Sequence, residues 1–394
     1  MDSLRVTYRR LLQPVFIPSF ISALAQQAAA VLLPLFFLSL GMSQGAAAAT
    51  FGARGLGMML ADLPAGALIA RIGDRRGMML GLALLGLVCV GCASARWTVL
   101  LAPLMLLYGV GLSIFLLSRL TLVTANVAAD RRGRVMSVLA GLQRLAALVG
   151  PLLAGLGAQY FGFGPPLLVL AAGFALAAAL IYRSPLRADD AGARHAHNWR
   201  QMWRMVVRAR AVFLTAGLCG LLLMLLRACR ILAIPLYGHA LGLNVAEVGM
   251  VATLSAVSDL LLFYPAGALM DRYGRRWVLI PGTALLAGGF LLLPQVDSGT
   301  GLALVALLLG LANGFTTGVV MTIGADLAPV DGRPAFLAAW RLVADTGITL
   351  GPFLLAAGIG LFGLDRAMQM IGWFGLAGAL LALRFVVETH PGRV

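Results

Sequence analysis

The residues best suited to chemistry in this chain are charged side chains inside long apolar segments. Six arginines and three aspartates occupy central positions in such segments. A buried carboxylate can take up and release a proton, and a guanidinium can bind a carboxylate or a phosphate through paired hydrogen bonds. Each charge costs roughly 2.5–3.5 kcal/mol at the centre of a bilayer, so we expect it to serve a function or to have a partner. The predicted proton-coupling residues are Asp259, Asp345 and Asp62.

Arginines outnumber acids at these positions, which favours an anionic or zwitterionic substrate. Arg227 and Arg230 are three residues apart, so on a helix they share a face and could clamp a carboxylate or a phosphate. Arg341 and Asp345 are four apart and could pair along their own helix. Static salt bridges are the alternative explanation for these charges. The candidate substrate-binding residues are Arg227, Arg230, Arg144, Arg119, Arg54, Arg341, Gln26, Gln27 and Asn313.

The composition indicates that lipid surrounds these segments. Of the 394 residues, 61% are hydrophobic and 11% are charged, whereas a soluble domain averages about 45–50% apolar and about 25% charged. A helix needs about 20 apolar residues to cross a bilayer. The sequence predicts an all-α protein with twelve such spans, at residues 14–40, 45–70, 78–95, 98–127, 135–160, 164–182, 211–238, 246–270, 277–295, 300–327, 335–362 and 367–387.

The distribution of arginine predicts the orientation of the spans. All 30 basic residues are arginine, and short cytoplasmic loops keep positive charge. If the N-terminus is inside, 22 arginines fall in inside segments, and the outside loops hold only Arg96 and Arg366. We therefore expect both termini to be cytoplasmic, in a multi-pass protein of the plasma (inner) membrane.

A polar stretch and an internal repeat divide the chain into halves. Residues 183–210 form a predicted cytoplasmic linker, whose end WRQMWRMVVRAR is typical of an amphipathic helix on an anionic membrane surface. It separates two predicted six-helix bundles, at residues 1–182 and 211–394. PAGALIARIG from Pro64 and PAGALMDRYG from Pro265 share seven of ten residues at an offset of 201. Duplicated bundles typically bind substrate near the membrane midplane between the halves.

Several function classes are disfavoured by what the chain lacks. Without lysine no P-loop can form, and the arginines lie in short loops rather than on one nucleic-acid-binding face. We expect no enzyme activity, cofactor or metal, because the histidines lie in loops or at helix ends. The expected partners are the lipid bilayer, a small-molecule substrate and protons, with the monomer as the functional form. The four histidines are His195, His197, His239 and His390.

A loop motif carries a resemblance to a known family. The loop after the eighth predicted span reads G-x-L-x-D-R-x-G-R-R, and the loop after the second is a partial copy with Ala70 at the Asp position. The chain resembles the major facilitator superfamily of secondary transporters, in which this loop forms part of a cytoplasmic gate. The matching residues are Gly66, Leu68, Arg71, Gly73 and the shifted Asp74 in the first copy, and Gly267, Leu269, Asp271, Arg272, Gly274, Arg275 and Arg276 in the second.

The resemblance also implies a transport mode. Gly150, Pro151 and Gly155 resemble part of the GPxxGG motif of exporters that exchange substrate for protons, and a proline with glycine makes a helix pliable. The predicted hinge is Gly150 and Pro151 with their counterparts Gly351 and Pro352. Such exporters also carry an arginine in the first third of the fourth span, but Met105 lies at about that position here. The first span carries no acid.

The helix pairing of the family would bring Arg144 toward Asp259, and Asp62 toward Arg341. Proton-coupled export by alternating access is the predicted function. A proton-coupled importer of an organic anion or metabolite and a transport-dead sensor are the alternatives.

Overall fold

The computed structural model describes residues 11–95, 97–184 and 199–389, and within these ranges the chain forms helices and no strand. Most of the predicted linker, residues 185–198 with His195 and His197, lies outside the described residues. The helices are α1 (Ile17–Ser39), α2 (Gln44–Ile72), α3 (Asp74–Ala93), α4 (Leu101–Asn126), α5 (Ala129–Phe161), α6 (Gly164–Tyr182), α7 (Trp199–Arg208), α8 (Leu218–Ala240), α9 (Val245–Tyr273), α10 (Arg276–Leu292), α11 (Gly299–Phe315), α12 (Val319–Leu327), α13 (Arg333–Phe362) and α14 (Leu364–Phe385).

These helices confirm the predicted all-α membrane fold. In the described part of the chain, eleven helical segments are long and apolar enough to cross a bilayer, and α2 makes twelve if its two pieces count as one span. The α2 pieces meet at an angle of 61°, between Gln44–Asp62 and Pro64–Ile72. Pro64 explains the bend, because proline cannot donate a backbone hydrogen bond and clashes with the preceding turn. The cytoplasmic placement of the termini stays a prediction.

The internal repeat is visible in the backbone. Helices α2 and α9 begin 201 residues apart and end 201 residues apart. A π-helical turn precedes α1 at Leu12–Phe16, and another precedes α8 at Phe213–Gly217, again at the same offset. Three pairs of glycines with positive φ also keep this spacing. They are Gly41 with Gly242, Gly73 with Gly274, and Gly162 with Gly363. The duplication inferred from the sequence therefore extends to the turns between the spans.

The chain forms two compact units. The first comprises Met1–Leu40 and Ala53–Ala196, and the second comprises Gly41–Gly52 and His197–Val394. In the first unit α1 packs on α5, and α3 packs on α4 and α6. In the second unit α8 packs on α13, α9 on α11, and α10 on α14. The predicted division into bundles at residues 1–182 and 211–394 stays a prediction.

The tenth span is broken, which corrects part of the expectation for its glycines. The spacing of four between Gly310, Gly314 and Gly318 predicts a close-packing face along the tenth span, and the first two do lie against α9. Gly318, however, has a φ of +82°, and a Cβ atom added there would have nothing within 4 Å. It occupies the left-handed conformation that separates α11 from α12, and most other residues adopt that conformation only at a cost.

Replacing Gly318 with alanine is expected to lower the free energy of unfolding by about 1–2 kcal/mol, since an L-residue is strained at this φ. The melting temperature of the purified protein measures the effect. Gly360→Ala is the control, because Gly360 lies inside α13 with equally open surroundings. Equal melting temperatures for the two variants would contradict a required left-handed residue at position 318.

Candidate functional site

The second unit contains a cluster of polar side chains on three membrane-spanning helices. Arg230 of α8 donates a hydrogen bond from Nη1 to Ser255 Oγ of α9, at 2.9 Å. One turn further along α9, Asp259 Oδ2 accepts a hydrogen bond from Asn313 Nδ2 of α11, also at 2.9 Å. Arg230 and Asp259 attract each other electrostatically. We call these four residues the Arg230 cluster.

Two glycines allow α11 to approach the backbone that carries this cluster. A Cβ atom at Gly310 would lie against the carbonyl oxygen of Ser255, and one at Gly314 against that of Asp259, both closer than the 3.0 Å that real Cβ atoms essentially never show. Close approach of this kind is how small residues join membrane helices. Asn313, between the two glycines, is thereby brought within hydrogen-bonding distance of Asp259.

The Arg230 cluster combines a cation and an anion with neutral hydrogen-bonding partners. Ser255 binds Arg230 and Asn313 binds Asp259. The Nε atom of Arg230 is buried and has no hydrogen-bond partner among the described residues. A buried guanidinium with an unused donor can bind a carboxylate or a phosphate, and a carboxylate beside it can bind a proton.

The first unit has polar contacts at the crossing of α2 and α4. Ser113 Oγ donates a hydrogen bond to Asp62 Oδ1 at 2.5 Å. Asp62 is the last residue of the first α2 piece, directly before the bend. Arg54, two turns earlier on α2, lies near the buried Tyr108 of α4. A Cβ at Gly109 would press on the carbonyl oxygen of Arg54, so a glycine again permits the crossing.

The remaining candidate residues have partners on their own helices or lie at partly buried positions. Arg341 and Asp345 form the predicted pair within α13, with 3.4 Å between Nε and Oδ2. Gln26 donates to Ser22 one turn earlier on its own helix. The Arg119 guanidinium lies 5.6 Å from the centre of the Phe115 ring. The structure places three further candidates at partly buried or packed positions on their helices, namely Arg144 on α5, Arg227 on α8 and Gln27 on α1.

The predicted hinge residues lie in unbroken helices. Helix α5 continues through Pro151, and α13 continues through Pro352. A Cβ at Gly150 would be 2.9 Å from Leu24 O and from Ala28 N of α1, and one at Gly351 would be 2.8 Å from Leu225 O of α8. These glycines therefore bring paired helices together, and their role as hinges stays a prediction.

The two copies of the loop motif hold the ends of neighbouring helices. Arg75 donates from Nε to the carbonyl oxygen of Ile181 at 3.1 Å, and from Nη2 to that of Tyr182. Its counterpart Arg276 donates from Nη2 to the carbonyl oxygen of Leu383 at 2.7 Å. In each copy the arginine thus satisfies carbonyl groups at the C-terminal end of a helix, where the helix dipole also favours a cation.

The acids of the two loops have different surroundings. Asp74, the acid that follows the glycine in the first loop, is buried and accepts a hydrogen bond from Thr121 Oγ1 of α4 at 2.6 Å. Asp271 and Arg272 of the second loop are exposed at the end of α9. Arg275, one residue after Gly274, is buried and forms an ion pair with Asp326 of α12 at 2.8 Å.

A carboxylate near the end of the described chain completes the second loop. Glu388 accepts hydrogen bonds from the backbone N–H groups of Arg275 and Arg276, at 2.8 Å and 3.2 Å, at the start of α10. Thr389 donates a hydrogen bond from Oγ1 to Asp326 at 2.8 Å. Free N–H groups at a helix start favour an acidic partner. The segment after α14 therefore caps α10.

Replacing Glu388 with alanine is expected to lower the free energy of unfolding by about 0.5–2 kcal/mol, the usual cost of losing a helix cap. The change in melting temperature of the purified protein measures it. Asp297→Ala removes an exposed loop acid instead and should leave the melting temperature unchanged. A Glu388→Ala variant that melts like the unmodified protein would show that the cap adds no stability.

Several of these contact residues were not identified from the sequence, although two of them have features in the sequence that could have indicated them. Ser255 is the counterpart of Arg54 at the offset of 201, so the repeat itself points to a polar residue at that depth. Glu388 is one of only two glutamates in the chain. Ser113, Tyr108 and Thr121 carry no such signal, because single neutral polar residues are common in membrane helices.

The helices define a multi-pass membrane protein with charged side chains inside its spans. Residues 15–228 and 216–394 match the family model of the Major Facilitator Superfamily. The chain belongs to this superfamily, which confirms the resemblance read from the loop motif.

Individual proteins of known sequence or structure agree with this family. The chain is 22% identical over 147 residues to an uncharacterized MFS-type transporter of Methanocaldococcus jannaschii, and 30% identical over 146 residues to one of Mycobacterium tuberculosis. Both matches cover 37% of this chain. They cover 38% of the Methanocaldococcus jannaschii protein and 34% of the Mycobacterium tuberculosis protein.

Solved structures share the fold over almost the whole chain. The nucleoside transporter NupG has a TM-score of 0.77 at 14% identity, with 95% of this chain and 99% of that chain covered. The D-xylose-proton symporter has a TM-score of 0.73 at 15% identity, with 96% and 99% covered. At such identities the similarity establishes the fold alone.

Proposed function

We propose that this protein is a proton-coupled exporter of a small anionic or zwitterionic organic molecule in the plasma membrane, acting as a monomer by alternating access. The observation that carries the proposal is the Arg230 cluster. A guanidinium and a carboxylate lie together on α8 and α9 of a transporter fold, and each also has a neutral hydrogen-bonding partner. Charges at membrane depth are costly, and in transporters they mark substrate or proton pathways.

The cluster supports proton coupling through Asp259. Protonation would neutralise the carboxylate and remove its attraction for Arg230, while Asn313 could still donate its hydrogen bond to the other oxygen. The charge available to a substrate at Arg230 would then depend on the proton at Asp259. Asp62, bonded to Ser113 at the bend of α2, and Asp345, paired with Arg341, are the other candidates for proton binding.

Export is supported by the sequence around Gly150 and by the energetics of an anionic substrate. A negative charge that leaves an inside-negative cell gains about 2.3 kcal/mol for each 100 mV. Proton-coupled import of an organic anion or metabolite is the alternative, because the fold, which a D-xylose-proton symporter shares, does not by itself set the direction of transport.

The first experiment is a thermal-shift screen of the purified protein against acidic, neutral and cationic metabolites at several pH values. Binding ligands are then tested in proteoliposomes with an imposed pH gradient of either sign. Accumulation of ligand against its own gradient in exchange for protons supports export. Accumulation together with protons supports import, and ligand binding without any flux would indicate a sensor.

Replacing both Arg227 and Arg230 with glutamine is expected to remove the thermal shift caused by acidic ligands, because the cation that binds them is lost. A neutral ligand found in the same screen is the internal control and should bind with unchanged affinity. If the double variant binds acidic and neutral ligands as the unmodified protein does, the anion-binding role of these residues is wrong.

A further inference from the structure

The linker helix α7 places apolar and basic side chains side by side on one exposed surface. Met202 and Met205 are buried, and Met205 lies against Gly332 at the start of α13. Helix α7 packs on α13 through this side. The methionine face that could have entered a membrane is therefore covered by the protein itself.

The side of α7 away from the methionines carries two parallel stripes. Trp203 and Val207 are four residues apart and expose 61% and 53% of their surface. Arg204 and Arg208, also four apart, form the adjacent exposed stripe. Residues four apart on a helix lie above one another. We call these four residues the α7 surface.

The α7 surface lies at the start of a membrane span. Helix α7 ends at Arg208, and the candidate span Arg210–Ala240 begins two residues later. The connecting chain is short, so the surface stays close to the boundary of the membrane. Tryptophan is enriched at that depth, and an interfacial helix typically combines such a side chain with arginines.

The charge of this part of the chain is entirely positive. No acidic residue occurs between positions 191 and 246, so no acid of α7 or of the seventh span competes for these arginines. Near an anionic membrane surface each arginine contributes about 1 kcal/mol of attraction. The geometry points to a partner with a negative headgroup and an apolar body.

We propose that the α7 surface binds anionic phospholipid headgroups, with Arg204 and Arg208 on the phosphate and Trp203 beside the acyl chain. This binding is independent of the transported substrate, because it uses none of the residues of the Arg230 cluster. It would fix the linker to one leaflet at the point where α7 also touches α13.

The test is a titration of the purified full-length protein with short-chain phosphatidylglycerol, followed by native mass spectrometry. Phosphatidylcholine with the same chains and inorganic phosphate are titrated separately. We expect tighter binding of phosphatidylglycerol than of phosphatidylcholine. The double variant Arg204→Gln/Arg208→Gln should weaken phosphatidylglycerol binding by about tenfold or more. Trp203→Ala should weaken the binding of both lipids.

The control is Arg366→Gln/Arg384→Gln, which removes the same charge from two exposed arginines elsewhere and should bind phosphatidylglycerol normally. The melting temperature of each variant shows whether it is folded. Unchanged phosphatidylglycerol binding by the folded Arg204/Arg208 variant would overturn the proposal. Displacement of bound phosphatidylglycerol by an equal concentration of inorganic phosphate would overturn the proposal as well, since it would indicate a site for soluble anions.

Discussion

Replacement of Asp259 by asparagine is expected to reduce pH-driven accumulation of substrate to the level of protein-free liposomes, while substrate exchange at equal pH on both sides continues. Asparagine resembles a protonated aspartate in shape and keeps an oxygen for the hydrogen bond from Asn313. It cannot release a proton, so a transport cycle that must exchange one at this position stops. Exchange without net proton movement does not require that step.

The measurement is uptake of a ligand found in the screen, by proteoliposomes with and without a pH gradient. Asp297→Asn is the matched control, because it removes a carboxylate from an exposed loop. Asp62→Asn and Asp345→Asn, tested in parallel, show whether another acid carries the proton. An Asp259→Asn protein that still accumulates substrate in response to a pH gradient would rule out Asp259 as the coupling residue.

Alanine at Gly314 or at Gly310 is expected to lower the free energy of unfolding by about 3 kcal/mol or more, because the added methyl group meets backbone rather than a flexible side chain. At both positions the obstructing atom is a carbonyl oxygen of α9. The helices would have to separate, and Asn313 would then lose contact with Asp259. The expected result is a large loss of folded protein after detergent extraction.

The yield of monodisperse protein and its melting temperature report this effect. Gly288→Ala is the control, because Gly288 lies inside α10 with nothing within 4 Å of a new Cβ atom. Gly109→Ala tests the equivalent crossing of α2 and α4 in the first unit. Near-normal yield and melting temperature for Gly314→Ala would contradict the close packing of α9 and α11.

The membrane fold could be predicted because hydropathy and charge act along the chain. Apolar length placed the spans to within a few residues of the helices observed, as at 164–182 and Gly164–Tyr182. The offset of 201 read from two short segments also relates the π-helical turns before α1 and α8. These features depend on local sequence. The bilayer requires every span to satisfy its own backbone hydrogen bonds, so each apolar segment forms a helix.

The contacts of the candidate site could be predicted only in part. Arg341 and Asp345 were found because a helix sets their spacing, and the structure shows that pair. Arg230 binds Ser255, and Asp62 binds Ser113. In both pairs the partner lies on another helix, so the contact depends on how the two helices cross. Gly318 was misread because a spacing of four between glycines is the same for a packing face and for a residue that ends a helix.

The position of Glu388 shows a further limit of the sequence. Its carboxylate caps a helix that begins more than a hundred residues earlier, at Arg276. No local pattern connects the segment after the last span with the loop after the eighth. Only the packing of α10 on α14 brings them together.

The central claim, that substrate and protons move in exchange through this protein, is tested most directly by recording proton movement. Proteoliposomes that enclose a pH-sensitive dye are loaded with the identified ligand and diluted into ligand-free buffer at equal pH. We expect the departing ligand to drive protons inward and acidify the lumen, with no acidification for Asp259→Asn. Ligand efflux from the unmodified protein without any change in luminal pH would contradict proton coupling, and luminal alkalinisation would contradict exchange in favour of symport.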